Sequence, residues 1–441
     1  MDINLTRYTQ RVDALTFGKH KGRVVEARGL LIESIGPHAS VGEICEIYIE
    51  GLPEPVGAEV VGFRKDRTLL MPLAELTGIK PGSQVVACGR PLSVPVGEEL
   101  RGRVLDGLGR PMDDRGALLC TQQRPIVGEA PEPLKRRPIR EPFITRVRAI
   151  DGFLACGLGQ RVGIFSGSGV GKSTLLGKIA RHSEADVNVI ALIGERNREV
   201  REFISRNLGE DGLQRSVLVV ATSNTPALWR MKGAFVATTI AEHFRDAGLN
   251  VLLVFDSITR FAVAVREIGT AIGEPAASRG YTASVFAALP RLIERAGTAP
   301  TGSITGLYTV LVEGDDMDEP ISDAVRAIFD GHIVLARDLS NQGHYPPIDI
   351  LSSLSRLMPD VTDEQHQAAA LTLRSLYATY KQAEDMINIG AYVQGRNPQI
   401  DAAIRMIEPL RAFLRQGLDE APEKQETLAQ LQQLAATTEN N

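Results

Sequence analysis

One stretch constrains this chain more than any other. The nonapeptide SGSGVGKST, Ser166 to Thr174, follows the apolar run Val162–Phe165 and opens the helical stretch LLGKIARH. A strand, a glycine-rich loop and a helix in that order make a cradle for phosphate. Gly167, Gly169 and Gly171 carry no Cβ, so backbone N–H groups can converge on phosphate oxygens. Ser168, Val170 and Thr174 complete the expected binding loop. Lys172 sets a cation on the β- and γ-phosphates, and the Ser173 hydroxyl is a ligand for Mg²⁺. The helix start adds a favourable dipole. The strict pattern G-x-x-x-x-G-K-[ST] wants glycine where this chain has Ser166. That position closes the strand, where a small residue serves.

A loop of this kind belongs to a parallel α/β sheet, and residues 150–350 read as one. The runs RVGIF, VNVIALI, SVLVVAT, NVLLVF, ITGLYTVLV and HIVLA are continuously apolar, as strands buried on both faces must be. Helical stretches separate them. In the clearest, PALWRMKGAFVATTIAEHFRDAG, Thr225 is the expected cap, Pro226 the first helical residue and Gly248 the stop.

The flanks differ in kind. Between residues 21 and 97, short β-branched segments broken by Gly and Pro predict a small antiparallel barrel or sandwich. The stretch 124–143, with Pro125, Pro131, Pro133, Pro138 and Pro142, reads as an extended connection. It lies within a nucleotide-binding core over 98–358. Beyond Pro359 the composition turns helical, predicting a helical C-terminal domain over 359–441. Residues 1–20 are either a frayed terminus or a short amphipathic helix carrying Leu5, Tyr8, Val12 and Leu15 for a partner or a membrane surface.

Composition sets the remaining limits. Of 441 residues, 43% are hydrophobic and the net charge is −5, an ordinary globular profile that argues against a dedicated nucleic-acid binder. Cys45, Cys88, Cys120 and Cys156 form no CxxC pair and read as small buried hydrophobes. No apolar run approaches the ~18 residues of a membrane span. The start, MDINLTRYTQRVDAL, lacks a secretory pattern. A cytoplasmic protein is expected, recruited to any membrane by its partners.

Four positions outside the loop carry candidate chemistry. Asp256 ends the run VLLVFD, which places a carboxylate beside the metal at the sheet edge. Glu195 follows VNVIALI directly. It either polarises a water for attack on a γ-phosphate or belongs to a solvated turn crowded by Arg196, Arg198, Glu199 and Arg201. Tyr345, in GHYPPIDILSSLSR, is a core aromatic or a ring that stacks on a base. Arg356, in the same stretch, is a surface charge or a contact for the γ-phosphate.

Taken in order, SGSGVGKST, GERNREV, VLLVFDSITRFA, GEPAASRGY, GSITGLYTVLVEGDDMDEPISD and GHYPPIDILSSLSR resemble the rotary-type ATPase subunits of the F- and V-type enzymes. Within that family the likeness is greatest to the type III secretion ATPases, above all their flagellar export branch, and it spans nearly the whole chain. The resemblance implies a β-barrel, a RecA-like P-loop core and a helical C-terminal domain. It implies Mg²⁺-dependent ATP hydrolysis that energises protein export. Glu195 then matches the glutamate that activates water, Arg196 the arginine after it, and Tyr345 the aromatic that packs against adenine. Arg356 matches the arginine finger that enters a neighbouring subunit's site. A homo-oligomeric, six-membered ring follows. So do a stalk-like regulator, a central-stalk-like coiled-coil protein, an export gate and chaperone–substrate complexes as partners, at the inner-membrane periphery.

The alternatives are an injectisome ATPase, a rotary ATP synthase or proton-pump subunit, and an inactive ring subunit. Inactive subunits of that family typically carry Gln where this chain has Glu195. Catalytic F-type subunits carry an acidic C-terminal segment, where this chain has GAYVQGRNPQID. A nucleic-acid translocase is disfavoured by the acidic balance.

Overall fold

The computed structural model describes residues 20–74, 77–312, 316 and 318–439. The proposed amphipathic segment with Leu5, Tyr8, Val12 and Leu15 lies outside the described residues.

The chain begins with a closed barrel. Its strands are β1 (Lys21–Arg28), β2 (Leu31–Ile35), β3 (Glu43–Tyr48), β4 (Val56–Arg64), β5 (Arg67–Pro72) and β6 (Gln84–Pro91). They pair antiparallel around the ring in the order β1-β2-β5-β4-β3-β6. Closure leaves no open edge. Val24, Ile32, Ile47, Val60, Leu70 and Val85 fill the interior. Of the cysteines, Cys45 and Cys156 are buried as expected, whereas Cys88 and Cys120 are half-buried; all four are free.

The core sheet contains the six predicted strands: β8 (Arg161–Ser166), β9 (Val187–Ile193), β10 (Ser216–Ala221), β11 (Asn250–Asp256), β12 (Ser303–Leu311) and β13 (Gly331–Leu335). Two edge strands, β7 (Val104–Asp106) and β14 (Ile348–Ser355), extend it. Along its main path the order is β14-β13-β8-β12-β11-β9-β10-β7, parallel except for antiparallel β14, and a two-residue strand, Gly297–Thr298, pairs antiparallel with β12 off that path. The residues of β9 and β10 are buried without exception, which is why their sequences show no alternation. Helices α1 (Lys172–His182), α2 (Ala227–Asp246) and α3 (Ile258–Ile272) belong to this core.

The start of α2 departs from expectation. Pro226 occupies the cap position and the helix begins at Ala227. Thr225 does not cap it, because its hydroxyl donates to the Thr222 carbonyl. At the far end Gly248 is left-handed, with φ +93°, as the predicted stop requires.

The proline-rich connection is irregular over most of its length and runs against the core. Arg136 donates to the carbonyls of Glu294 and Ala296, and Arg137 to those of Ala299 and Gly302. At the C-terminal end, α4 (Glu364–Asn388), α5 (Pro398–Leu414) and α6 (Lys424–Glu439) form the predicted helical unit. Their apolar faces join Phe153, Ile150 and the α1 side of the sheet in one hydrophobic cluster. Among the described residues, no helix is long and apolar enough to cross a membrane.

Candidate active site

The C-terminal ends of β8, β9 and β11 lie together because the three strands are parallel members of one sheet. Ser166 closes β8 and Lys172 opens α1, so five residues make the loop between them. Gly169 and Gly171 hold φ of +78° and +104°, a left-handed region that a side chain would strain. Gly171 is also the cap of α1, so the loop delivers the chain directly into the helix N-terminus. The Ser166 hydroxyl is buried without a hydrogen-bond partner.

Lys172 reaches across this edge to two carboxylates. Its Nζ lies 2.5 Å from Asp256 Oδ1 and 3.5 Å from Glu195 Oε1. All three side chains are largely buried. Burial by itself would lower the lysine pKa, but Asp256 and Glu195 override it and hold the ammonium above its ordinary value. Glu195 moves the other way from most paired carboxylates. Burial first, and then the negative charge of Asp256, push it up to about 7, against the weaker pull of Lys172. The geometry fits: the Lys172 ammonium sits nearer Asp256, so its pull on Glu195 is weaker than the burial and the Asp256 charge that oppose it.

Glu195 owes its place to Gly194. That glycine has φ +75°, and a Cβ there would lie 2.7 Å from Cβ of Arg260. The turn out of β9 therefore depends on glycine. Asp256 has a second partner, Thr309, whose Oγ1 donates to Oδ1 at 2.7 Å. Thr309 is fully buried inside β12. Sequence reasoning missed it, although a threonine within the apolar run ITGLYTVLV was a visible signal.

Tyr345 comes to the loop from the other side. A Cβ on Gly171 would stand 3.8 Å from its ring. The ring is 49% exposed, so a face remains free for stacking. Its hydroxyl lies 3.1 Å from Ser340 Oγ, and Arg337 donates to the Ser168 carbonyl at 3.2 Å. Phe165, Gly167, Val334, Ala336 and Arg337 line a small cavity here.

Two predicted residues are not gathered into this cluster. Arg196 precedes a short helix (Asn197–Glu202) with its side chain exposed, 3.4 Å from Glu199. Arg356 follows β14, whose antiparallel course sets Ser355 beside Gly331, at the start of the parallel strands. The phosphate loop lies at their ends. From the level of Arg161 to that of Ser166 is five residue steps, roughly 17 Å at ~3.3 Å per step. The Arg356 side chain is exposed and cannot reach its own chain's loop.

Comparison with known proteins places each part of the chain in one family. Residues 24–89 match the ATP synthase alpha/beta family, beta-barrel domain. Residues 146–355 match the nucleotide-binding domain of the same family, and 362–433 match the T3SS EscN ATPase C-terminal domain. The flagellum-specific ATP synthase of Bacillus subtilis is 53% identical over 424 residues, 96% of each chain. A type 3 secretion system ATPase of Xanthomonas euvesicatoria is 49% identical, again over 96% of each chain. The assembled ATPase EscN of enteropathogenic E. coli, solved with its central stalk EscO, superimposes with a TM-score of 0.87 at 46% identity. That match covers 94% of this chain and 100% of the other. The chain belongs to the ATP synthase alpha/beta family. Within it, the chain is a type III secretion ATPase, a P-loop enzyme that energises protein export.

Proposed function

We propose that the chain hydrolyses Mg·ATP at the Lys172–Glu195–Asp256 cluster and that Glu195 is the base. The observation that carries this reading is the raised, buried carboxylate of Glu195 beside a lysine that opens the helix after a phosphate loop. A base with a pKa near working pH both accepts and returns a proton readily. The loop from Gly167 to Gly171, with Lys172, Ser173 and Thr174, holds the triphosphate, and Tyr345 stacks on the adenine. Arg196, next to the base, serves the γ-phosphate once its contact with Glu199 opens.

The donor set suits Mg²⁺. Among the described residues no cluster of three or more His, Cys, Asp or Glu forms a dedicated metal cage. Mg²⁺ needs none, since it takes one or two protein oxygens and fills its shell with phosphate and water. Ser173 and Asp256 supply those oxygens. When bound, the ion neutralises charge on the β- and γ-phosphate oxygens.

Arg356 acts in trans, as the arginine finger of the next subunit's site, which implies a closed ring; six subunits is the family expectation. The assembled state of EscN and its contact with EscO support a ring and a central-stalk coiled coil as partners. The flagellar branch is the reading proposed; flagellar relatives at 46–53% identity span the 47–49% of the secretion-system relatives. Residues 1–20 serve a stalk-like regulator. The export gate and chaperone–substrate complexes are the remaining partners, and they hold the ring peripherally at the inner membrane in the cytoplasm.

Glu195→Gln tests the core of this reading. The amide keeps the shape and cannot accept the proton, so Mg·ATP should bind as before while turnover falls about 10²-fold or more. Binding by fluorescent nucleotide and single-turnover hydrolysis separate the two. Near-normal turnover would remove Glu195 from the mechanism.

A further inference from the structure

The strand that ends in the phosphate loop begins at the anchor of Arg356. The Arg356 N–H donates to the Asp330 carbonyl at 3.0 Å. The Asp330 carboxylate is gripped by the first residue of β8. Arg161 Nε and Nη2 reach its two oxygens at 3.0 and 3.1 Å, and the Arg161 N–H donates to Oδ2 at 3.1 Å. Backbone joins the same two residues in return, because the Asp330 N–H donates to the Arg161 carbonyl at 2.9 Å. Gln160, fully buried, donates through Nε2 to the Asp330 carbonyl at 3.1 Å and to Ser355 Oγ at 3.2 Å. Ser355 Oγ donates onward to the Ala155 carbonyl at 2.7 Å. Gly331 permits the contact, since a Cβ there would lie 2.6 Å from the Leu354 carbonyl oxygen.

This lattice is more than a strand end requires. A ladder fixes backbone register, yet here the Gln160 side chain ties Ser355, the residue before Arg356, to the Asp330 carbonyl that holds the Arg356 N–H, and Arg161 fixes Asp330 in turn. Arg356 itself is left exposed. An exposed arginine must be aimed by its backbone, and a displacement near 1 Å costs about 10²-fold when a reacting geometry depends on it.

We infer that Gln160, Arg161 and Asp330 are positioning residues for the Arg356 finger, tying it rigidly to the strand that carries this chain's own phosphate loop. The inference rests on the trans role proposed for Arg356. Six residues of β8 then join the site where one subunit binds nucleotide to the finger it offers its neighbour. A shift of the loop on nucleotide binding is felt at the finger without passing through the rest of the sheet.

Subunit mixing distinguishes this from a merely structural role. Asp330→Ala should lower turnover of the full chain on the order of 10²-fold, with Mg·ATP affinity unchanged. Asp330→Asn, which keeps one acceptor, should lose less and guards against a folding defect in the alanine variant. Each should still assemble like the wild type. Mixed with Lys172→Ala, which has an intact finger and no working site, the Asp330 variants should regain turnover. Mixed with Arg356→Ala they should not, because both then lack a working finger. Rescue by Arg356→Ala instead would place the defect in the variant's own site and overturn the inference, as would full activity of both variants alone. The pair Arg356→Ala with Lys172→Ala is the control. If that pair shows no rescue, the trans reading itself falls.

Discussion

Glu195 shows how one residue's chemistry is set by a neighbour's distance. Moving the Lys172 ammonium an ångström nearer would lower its pKa, but the cation is committed to Asp256 at 2.5 Å. The carboxyl therefore sits at about 7. A raised acid is protonated below its pKa and cannot accept a proton there. In the free enzyme kcat/KM for ATP should thus fall as pH drops through about 7. Thr309→Val should lower kcat/KM across the profile, since it strips from Asp256 the buried donor that helps hold it in place. A pH–rate profile checks both. An acid limb near the ordinary glutamate value of about 4.3 would exclude Glu195 as the titrating base.

Elements meet at the junction of barrel and core, where β4 faces α2. Lys232 on α2 lies 2.5 Å from Glu59 on β4, with 9% and 8% of the side chains exposed. Trp229, one turn earlier, donates from its indole to the Leu73 carbonyl at 2.9 Å. Burial holds the Glu59 carboxyl above its usual range despite Lys232. Removing one partner strands the other, so Lys232→Met should destabilise by about 3 kcal/mol. Replacing both, as Lys232→Met with Glu59→Leu, should restore most of the loss, because two charges no longer need desolvation. Thermal melting of the three variants reads this, and equal loss in single and double variants would contradict it. This junction was invisible in the sequence, where Glu59 and Lys232 are 173 positions apart. So were the edge strands: β7 has only three residues, and β14 alternates buried and exposed positions. The six central strands were legible because burial on both faces leaves an unbroken apolar run. Lys172, Glu195 and Asp256 were legible for the same reason, each standing where such a run stops or a glycine loop turns. Thr309, a polar residue inside such a run, was a signal that the run's apolar reading passed over.

At the scale of the whole molecule, the sheet separates what one subunit needs from what it provides. The phosphate loop, Glu195 and Asp256 lie at the ends of the parallel strands, and Arg356 at their beginnings, because β14 runs antiparallel. No rearrangement of side chains alone brings Arg356 to its own loop. On the trans role proposed for Arg356, a lone subunit lacks its neighbour's finger, a contribution worth about 10³–10⁵ in rate where such arginines act. Specific activity should rise with protein concentration and level off once assembly is complete. Dilution should lower it by about that factor while leaving Mg·ATP binding in place, since Lys172 and the loop belong to one chain. Hydrolysis and sedimentation measured on the same dilution series make the comparison. A preparation that sediments as a monomer yet turns over at the full rate would show that Arg356 is dispensable in trans, and that the site at the strand ends is complete within one chain.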